Sequence, residues 1–163
     1  MEKQYEDKLK QYIKENKIKA EQLFFNNLVD HKENVLTTIR EQDINFKDIV
    51  KTVVFLDLNK NLEYGNGVIA IVPAESRVDK DKLRNVSNSK VKIASSDQVL
   101  ILTSYPAGGV PPFGFKARFY MDNILKSKNS VYAGGGSERT LIKTTISEIL
   151  KANKAEIVNV IKD

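Results

Sequence analysis

Near the N-terminus apolar residues recur at helical spacing. Tyr5, Leu9, Tyr12 and Ile13 fall at i, i+4, i+7 and i+8 with charges between them, the stripe of an amphipathic helix over residues 3–17. Its charged face is either a solvated surface or one that touches RNA. Gln22-Leu23-Phe24-Phe25 reads as a short extended piece, and Asn34 caps a second predicted helix to about Gln42 that turns Val35, Leu36 and Ile39 inward. A brief helical piece lies near Phe46 to Ile49. The period then changes: Val50-Lys51-Thr52-Val53-Val54-Phe55-Leu56 is a nearly continuous apolar, β-branched run, the texture of a strand covered on both faces. Lys51 is its odd member. Asn59-Lys60-Asn61 and Gly65-Asn66-Gly67 form a polar connection to a second strand, Val68 to Val72, which stops at Pro73, so the pair reads as a hairpin.

Further on, Asp79 to Val86 predicts a helix and Val91-Lys92-Ile93 a short strand. Ser95-Ser96-Asp97-Gln98 has the spacing of a capping box ahead of Val99, Leu100 and Leu102. The loop Tyr105-Pro106-Ala107-Gly108-Gly109-Val110-Pro111-Pro112-Phe113-Gly114 holds three of the four prolines and three of the eight glycines, which excludes regular structure. Strands follow around Phe119 to Met121 and at Val131-Tyr132-Ala133, the latter running into Gly134-Gly135-Gly136-Ser137. Leu141 to Thr144, a capping box at Thr145 to Glu148, a helix to about Asn153 and a last strand at Ile157 to Ile161 complete the chain. Strands that alternate with helices without strict βαβ order predict an α/β fold. The expectation is a single domain over residues 1–163, a mixed, mainly antiparallel β-sheet with helices packed on it.

Composition narrows the function classes. A chain of 163 residues suits one domain and buries about 70% of its unfolded surface. With no cysteine there is no disulfide framework, thiolate metal site or cysteine nucleophile, so a reducing, cytoplasmic setting is expected. No apolar run approaches the roughly 18 residues of a membrane helix, and the N-terminus lacks the apolar stretch of a signal peptide. A net charge of +5 is compatible with a polyanionic partner without requiring one.

The inventory of reactive groups is thin. The single histidine, His31, stands between Asp30 and Lys32 in a polar, surface-type segment, and no Gly-x-Ser-x-Gly occurs, so a Ser-His-Asp triad has no support. A His/Cys metal site is excluded. Neither glycine cluster has phosphate-loop or dinucleotide spacing. Each glycine-rich turn is then either a plain tight turn or a place where bare backbone N–H groups approach a ligand and stabilise a developing oxyanion. In the Gly-x-x-x-Pro segment, Gly108 to Pro112, prolines stiffen what glycines would leave loose. Lys51 either reaches solvent along its stem or is held toward an anion.

Taken together and in this order, Ile49-Val50-Lys51-Thr52-Val53-Val54, the Tyr105 to Gly114 loop and Val131-Tyr132-Ala133-Gly134-Gly135-Gly136 resemble the YbaK/prolyl-tRNA editing domain family. The resemblance runs from about Asn34 to the C-terminus; the first 33 residues carry no part of it. It implies a small α/β aminoacyl-tRNA deacylase that hydrolyses the ester of misacylated tRNA in trans, with no metal and no other cofactor. The expected substrate is Cys- or Ala-tRNA-Pro, the expected partners the acceptor end of tRNA and prolyl-tRNA synthetase, with neither DNA nor membrane. By the same resemblance Lys51 and Gly108 carry catalysis, while Thr52, Gly109, Pro111, Pro112, Gly134, Gly135 and Gly136 bind substrate. The attacking group would be a bound water or a group of the substrate itself. Two positions depart from the family pattern: Gly134 stands where Ser or His is frequent, and Ser104 where Gly is. Lys116, Arg118, Lys126 and Lys128 are candidate guides for the acceptor stem or plain solvated surface. A non-catalytic tRNA- or nucleotide-binding module with the same pocket is the alternative.

Overall fold

The computed structural model describes residues 2–25 and 44–163. His31 and the helix expected from Asn34 to Gln42 lie outside them. Helix α1 (Glu2–Glu15) follows its apolar stripe and buries Leu9 completely. It stops where Lys17 turns left-handed at φ 53° and Ile18 N–H closes onto Ile13 O at 3.0 Å, so buried Ile18 seals the end. Strand β1 (Glu21–Phe24) comes next, and a 3-10 turn at Phe46–Asp48 directly precedes the hairpin expected from the sequence. Strands β2 (Val50–Asp57) and β3 (Gly67–Pro73) pair antiparallel from Val50↔Pro73 to Leu56↔Gly67.

Among the described residues the remaining elements are α2 (Lys80–Ser87), β4 (Val91–Ile93), α3 (Ser96–Thr103), β5 (Arg118–Asp122), a 3-10 helix (Asn123–Ser127), β6 (Ser130–Gly134), β7 (Thr140–Thr145), α4 (Ile146–Asn153) and β8 (Glu156–Val158). The fold is α/β, with mixed, mainly antiparallel strands divided between two sheets. One has the order β4-β2-β3-β5-β8, with β3–β5 and β5–β8 parallel, and the other, β1-β7-β6, is antiparallel throughout. Among the described residues one isolated parallel bridge, Ile49↔Tyr132, joins them.

Every residue of β3 is buried, because both faces of the central strand are covered. Ile69 and Ile71 belong to the main core with Val54, Leu102, Phe119, Met121 and Ile149. Val68, Ala70 and Val72 turn to a second cluster with Phe55, Leu83 and Tyr120 beneath α2. A third, small cluster gathers Phe25, Ile44, Ile49 and Leu141.

Local signals hold where nothing distant competes. Ser95 and Gln98 form the full capping box of α3. At Thr145 only half of the expected box forms: Thr145 caps Glu148 N–H at 3.1 Å, but the Glu148 carboxylate accepts from the backbone N–H of Lys19 at 2.6 Å instead. The last strand is shorter than Ile157 to Ile161. Buried Asp122 accepts the N–H groups of Val160 and Ile161 at 2.8 and 3.2 Å, and this bends the chain away after β8, leaving one bridge at Ile161.

Candidate active site

Lys51 stands between two apolar clusters. Side chains alternate along a strand, so Ile49, Lys51 and Val53 share one face of β2; Ile49 belongs to the third cluster and Val53 packs on the second. The ammonium is half-buried at this seam. Burial pushes its pKa below the ordinary lysine value, and the positive charge of Arg77 pushes in the same direction. Among the described residues no carboxylate is ion-paired with it. Arg77 is brought close by the chain itself: Val72 lies opposite Lys51, β3 ends at Pro73, and Ser76 N–H turns back onto Pro73 O at 3.0 Å. The backbone of Arg77 is pinned by Lys162 N–H at 2.9 Å. Arg77 did not stand out in the sequence; its signal was the hairpin register that returns the chain to Lys51.

The parallel bridge at Ile49↔Tyr132 sets the height of the second glycine turn. Two residues further along each strand come Lys51 and Gly134, so β6 delivers Gly134 to the level of the lysine. Thr52 does not join them on that face. It points with Val50 and Val54 toward the main core, and its Oγ1 is buried with no hydrogen-bond partner among the described residues.

The first loop starts from Ser104, which caps α3 in the left-handed region at φ 65°. That is the conformation glycine prefers, which explains the glycine of the family pattern at this position. Pro106 to Gly109 is a β-turn closed by Gly109 N–H on Pro106 O at 3.0 Å, with Gly108 exposed at φ 85°. Pro111 and Pro112 are buried, and Asn153 at the end of α4 donates to Pro112 O at 2.8 Å. In the second turn Ser137 N–H donates to Thr140 Oγ1 at 3.0 Å and Gly135 N–H to Thr140 O at 3.2 Å.

The two turns meet backbone to backbone. Gly136 N–H donates to Gly109 O at 2.8 Å. A Cβ on Gly109 would come within 2.5 Å of Ser137 N, one on Gly135 within 2.8 Å of Thr140 Cβ, and one on Gly134 would run into Val110 O. The loop therefore sits against β6 more closely than the Ser or His of the family pattern would allow. The structure packs the Gly108 to Pro112 loop against Gly134 to Gly136, and the Ile49↔Tyr132 bridge sets Lys51 on the strand beside Gly134.

The basic residues divide. Arg118 is level with Val68, which is level with Phe55, four residues and about 13 Å along β2 from Lys51. It is spent there, donating to Asp57 at 2.8 Å, Ser89 Oγ at 3.1 Å and Ser87 O at 3.2 Å. Lys116, two residues before Arg118, packs its stem over Gly65 at that same far end. Lys126 and Lys128 follow Asp122 at the end of β5 nearer Lys51, and Lys128 pairs with Asp48 at 3.4 Å. Among the described residues no group of three or more His, Asp or Glu side chains is gathered to hold a metal ion, and no helix is long and apolar enough to cross a membrane.

The chain belongs to the aminoacyl-tRNA editing domain family, whose model matches residues 32–152. It is 29% identical over 142 residues to an uncharacterized protein, YwhH, of Bacillus subtilis (strain 168), covering 82% of this chain and 90% of the relative. Among solved structures it is similar to the hypothetical protein APE2540, with a TM-score of 0.81 and 25% identity over 95% of this chain and 99% of the other. A second structure, described as that of a candidate trans-editing enzyme for prolyl tRNA synthetase, shares the fold with a TM-score of 0.81 and 20% identity, covering 98% of each chain.

Proposed function

We propose that the protein is a trans-acting deacylase that hydrolyses the ester of misacylated tRNA in the cytoplasm, with Cys- or Ala-tRNA-Pro as substrate and prolyl-tRNA synthetase as the partner whose errors it removes. The observation that carries this reading is the placement of Lys51: a half-buried cation with no carboxylate paired to it among the described residues, level with a glycine turn that is hydrogen-bonded to a second one. An anion offered at that seam is attracted by Lys51 and Arg77 together, and the acceptor end of tRNA supplies phosphates. A solved structure sharing the fold is described as that of a candidate trans-editing enzyme for prolyl tRNA synthetase, which supports the choice of tRNA.

In this reading water attacks the ester carbonyl carbon, its oxygen forms the new C–O bond, and the bond to the ribose oxygen breaks as that oxygen takes up a proton. Exposed Gly108 presents backbone N–H to the carbonyl oxygen as negative charge develops on it. Gly109, Pro111, Pro112, Gly134, Gly135 and Gly136 fix the aminoacyl group by shape, and Thr52, on the core-facing side of β2, backs the site from within. Positioning and preorganised dipoles do most of the work. Residues 1–163 act as one editing domain, with the N-terminal portion included.

The test is release of labelled amino acid from tRNA-Pro charged with Cys, Ala, Ser or Pro, by the wild type and Lys51→Ala. Hydrolysis of one mischarged species with cognate Pro-tRNA spared, and a loss of about 100-fold or more in the variant, is expected. A folded Lys51→Ala with undiminished turnover removes the lysine from the mechanism. Binding without hydrolysis across the panel makes the protein a non-catalytic tRNA-binding module.

A further inference from the structure

Helix α1 lies outside residues 32–152, yet it touches both glycine turns. Tyr5, Lys8, Leu9 and Tyr12 share one helix face. At its N-terminal end the helix backbone lies on Gly136, where a Cβ would stand 3.0 Å from Tyr5 O and 3.3 Å from Glu6 Cα. One turn along, Lys8 Nζ donates to Ser104 O at 3.3 Å and sits 4.6 Å from the centre of the Tyr105 ring, at the start of the first loop. A further turn along, Tyr12 stacks on Phe113 at 5.9 Å and 23°, at the end of that loop. Leu9 between them is fully buried, and Gln22 donates to Glu6 O at 3.0 Å, tying the helix to β1.

One rod thus holds the first loop at both ends and the second turn at Gly136. We propose that α1 is a positioning element of the site, setting the placement of Gly108 and Gly109 relative to Gly134 to Gly136. The proposal rests on the deacylase reading. Tyr12 and Lys8 act through the turns, as positioning residues. A displacement of about 1 Å in a positioned site costs on the order of 100-fold in rate, so a helix that only steadies the loop leaves a kinetic mark.

The test uses the full chain with Tyr12→Ala, Tyr12→Phe and Lys8→Met. Three quantities are read: amide exchange in residues 106–114 and 134–137 against β3, thermal unfolding, and kcat and KM on the aminoacyl-tRNA hydrolysed. Tyr12→Ala is expected to speed exchange in the two turns but not in β3, and to lower kcat about 10-fold or more while KM moves little. Tyr12→Phe, which keeps the stacked ring, restores both. Lys8→Met, at an exposed position that does not threaten folding, acts in the same direction and decides the matter if Tyr12→Ala fails to fold. Unchanged exchange in the turns, loosened turns with unchanged kcat, or exchange that rises equally in β3 overturns the proposal. A wild type that hydrolyses no aminoacyl-tRNA defeats the deacylase reading instead, and the exchange measurements still decide whether α1 holds the turns.

Discussion

Gly136 donates its backbone N–H to the carbonyl oxygen of Gly109 across 2.8 Å, so the two glycine turns form one hydrogen-bonded unit. That contact depends on the absence of side chains. A Cβ on Gly109 would meet Ser137 N at 2.5 Å and Gly136 C at 2.8 Å, both backbone atoms that cannot swing aside.

Gly109→Ala is therefore expected to push the turns apart, costing about 1–3 kcal/mol of stability together with most of the hydrolytic rate. Gly67→Ala is the control. Its Cβ would find Ile69 at 3.5 Å and Leu102 at 3.7 Å, ordinary contact distances, and it is expected to leave both quantities nearly unchanged. Chemical denaturation and single-turnover hydrolysis of the two variants check the contrast; equal effects would mean that the close approach is not what the glycine serves.

The lysine makes a prediction about pH. Burial first, and the charge of Arg77 second, hold the Lys51 pKa below its ordinary value of 10.5. The native state then binds this proton less tightly than the unfolded state. The cost is fully present below the folded pKa and is relieved as pH rises toward 10.5, where the unfolded lysine loses its proton too. Lys51→Met is expected to raise Tm at neutral pH and to flatten the rise in stability across the alkaline window. Hydrolysis that needs the ammonium falls as pH climbs through that same window, and Lys51→Arg moves the fall to higher pH. A wild-type stability curve with the same alkaline slope as Lys51→Met would show that the lysine titrates normally.

What the sequence disclosed and what it hid follow one physical division. The β2–β3 hairpin, the Ser95 to Gln98 box and the two glycine turns were legible because each is decided by residues close in the chain. Glu148 was misread because a distant backbone group, Lys19 N–H, took its carboxylate. The splitting of the strands into two sheets was hidden for the same reason. It depends on β1 pairing with β7 and on the Ile49↔Tyr132 bridge, contacts that no local pattern encodes. At the site, Lys51 was visible as a charge inside an apolar run, whereas Arg77 beside it is an unremarkable surface arginine until the register is known.

Arg118 is a structural charge, whereas the proposed function leaves Lys126 and Lys128 as the candidates to steer tRNA. Asp57 is almost wholly buried and takes the Arg118 guanidinium at 2.8 Å, so Arg118→Met strands a buried carboxylate. The expected cost is about 3 kcal/mol of stability, with the salt dependence of tRNA binding unchanged. Lys126→Ala and Lys128→Ala should do the reverse, leaving stability within about 0.5 kcal/mol and lowering the slope of log affinity against log salt by about 0.9 or less for each lost phosphate contact. Binding titrations at several salt concentrations read this directly. A changed slope in Arg118→Met alone would place the tRNA at the opposite end of the sheet.

Thr52 sets stability against function most sharply. Its Oγ1 is buried and makes no hydrogen bond among the described residues, whereas the more deeply buried Thr103, Thr140 and Thr144 all find a partner. An unsatisfied buried hydroxyl costs about 1–3 kcal/mol, and Thr52→Val keeps the branched shape while deleting it. The variant is expected to be more stable than the wild type by about 1 kcal/mol, with Tm raised accordingly. If the hydroxyl is kept for a bound aminoacyl group or its water, the same variant loses kcat/KM by about 10-fold or more, since the partner on the substrate is then left unpaired. A Thr52→Val protein that gains stability and keeps full activity would make the hydroxyl a mere tolerated defect of the core and would leave the proposed site to Lys51 and the glycine turns.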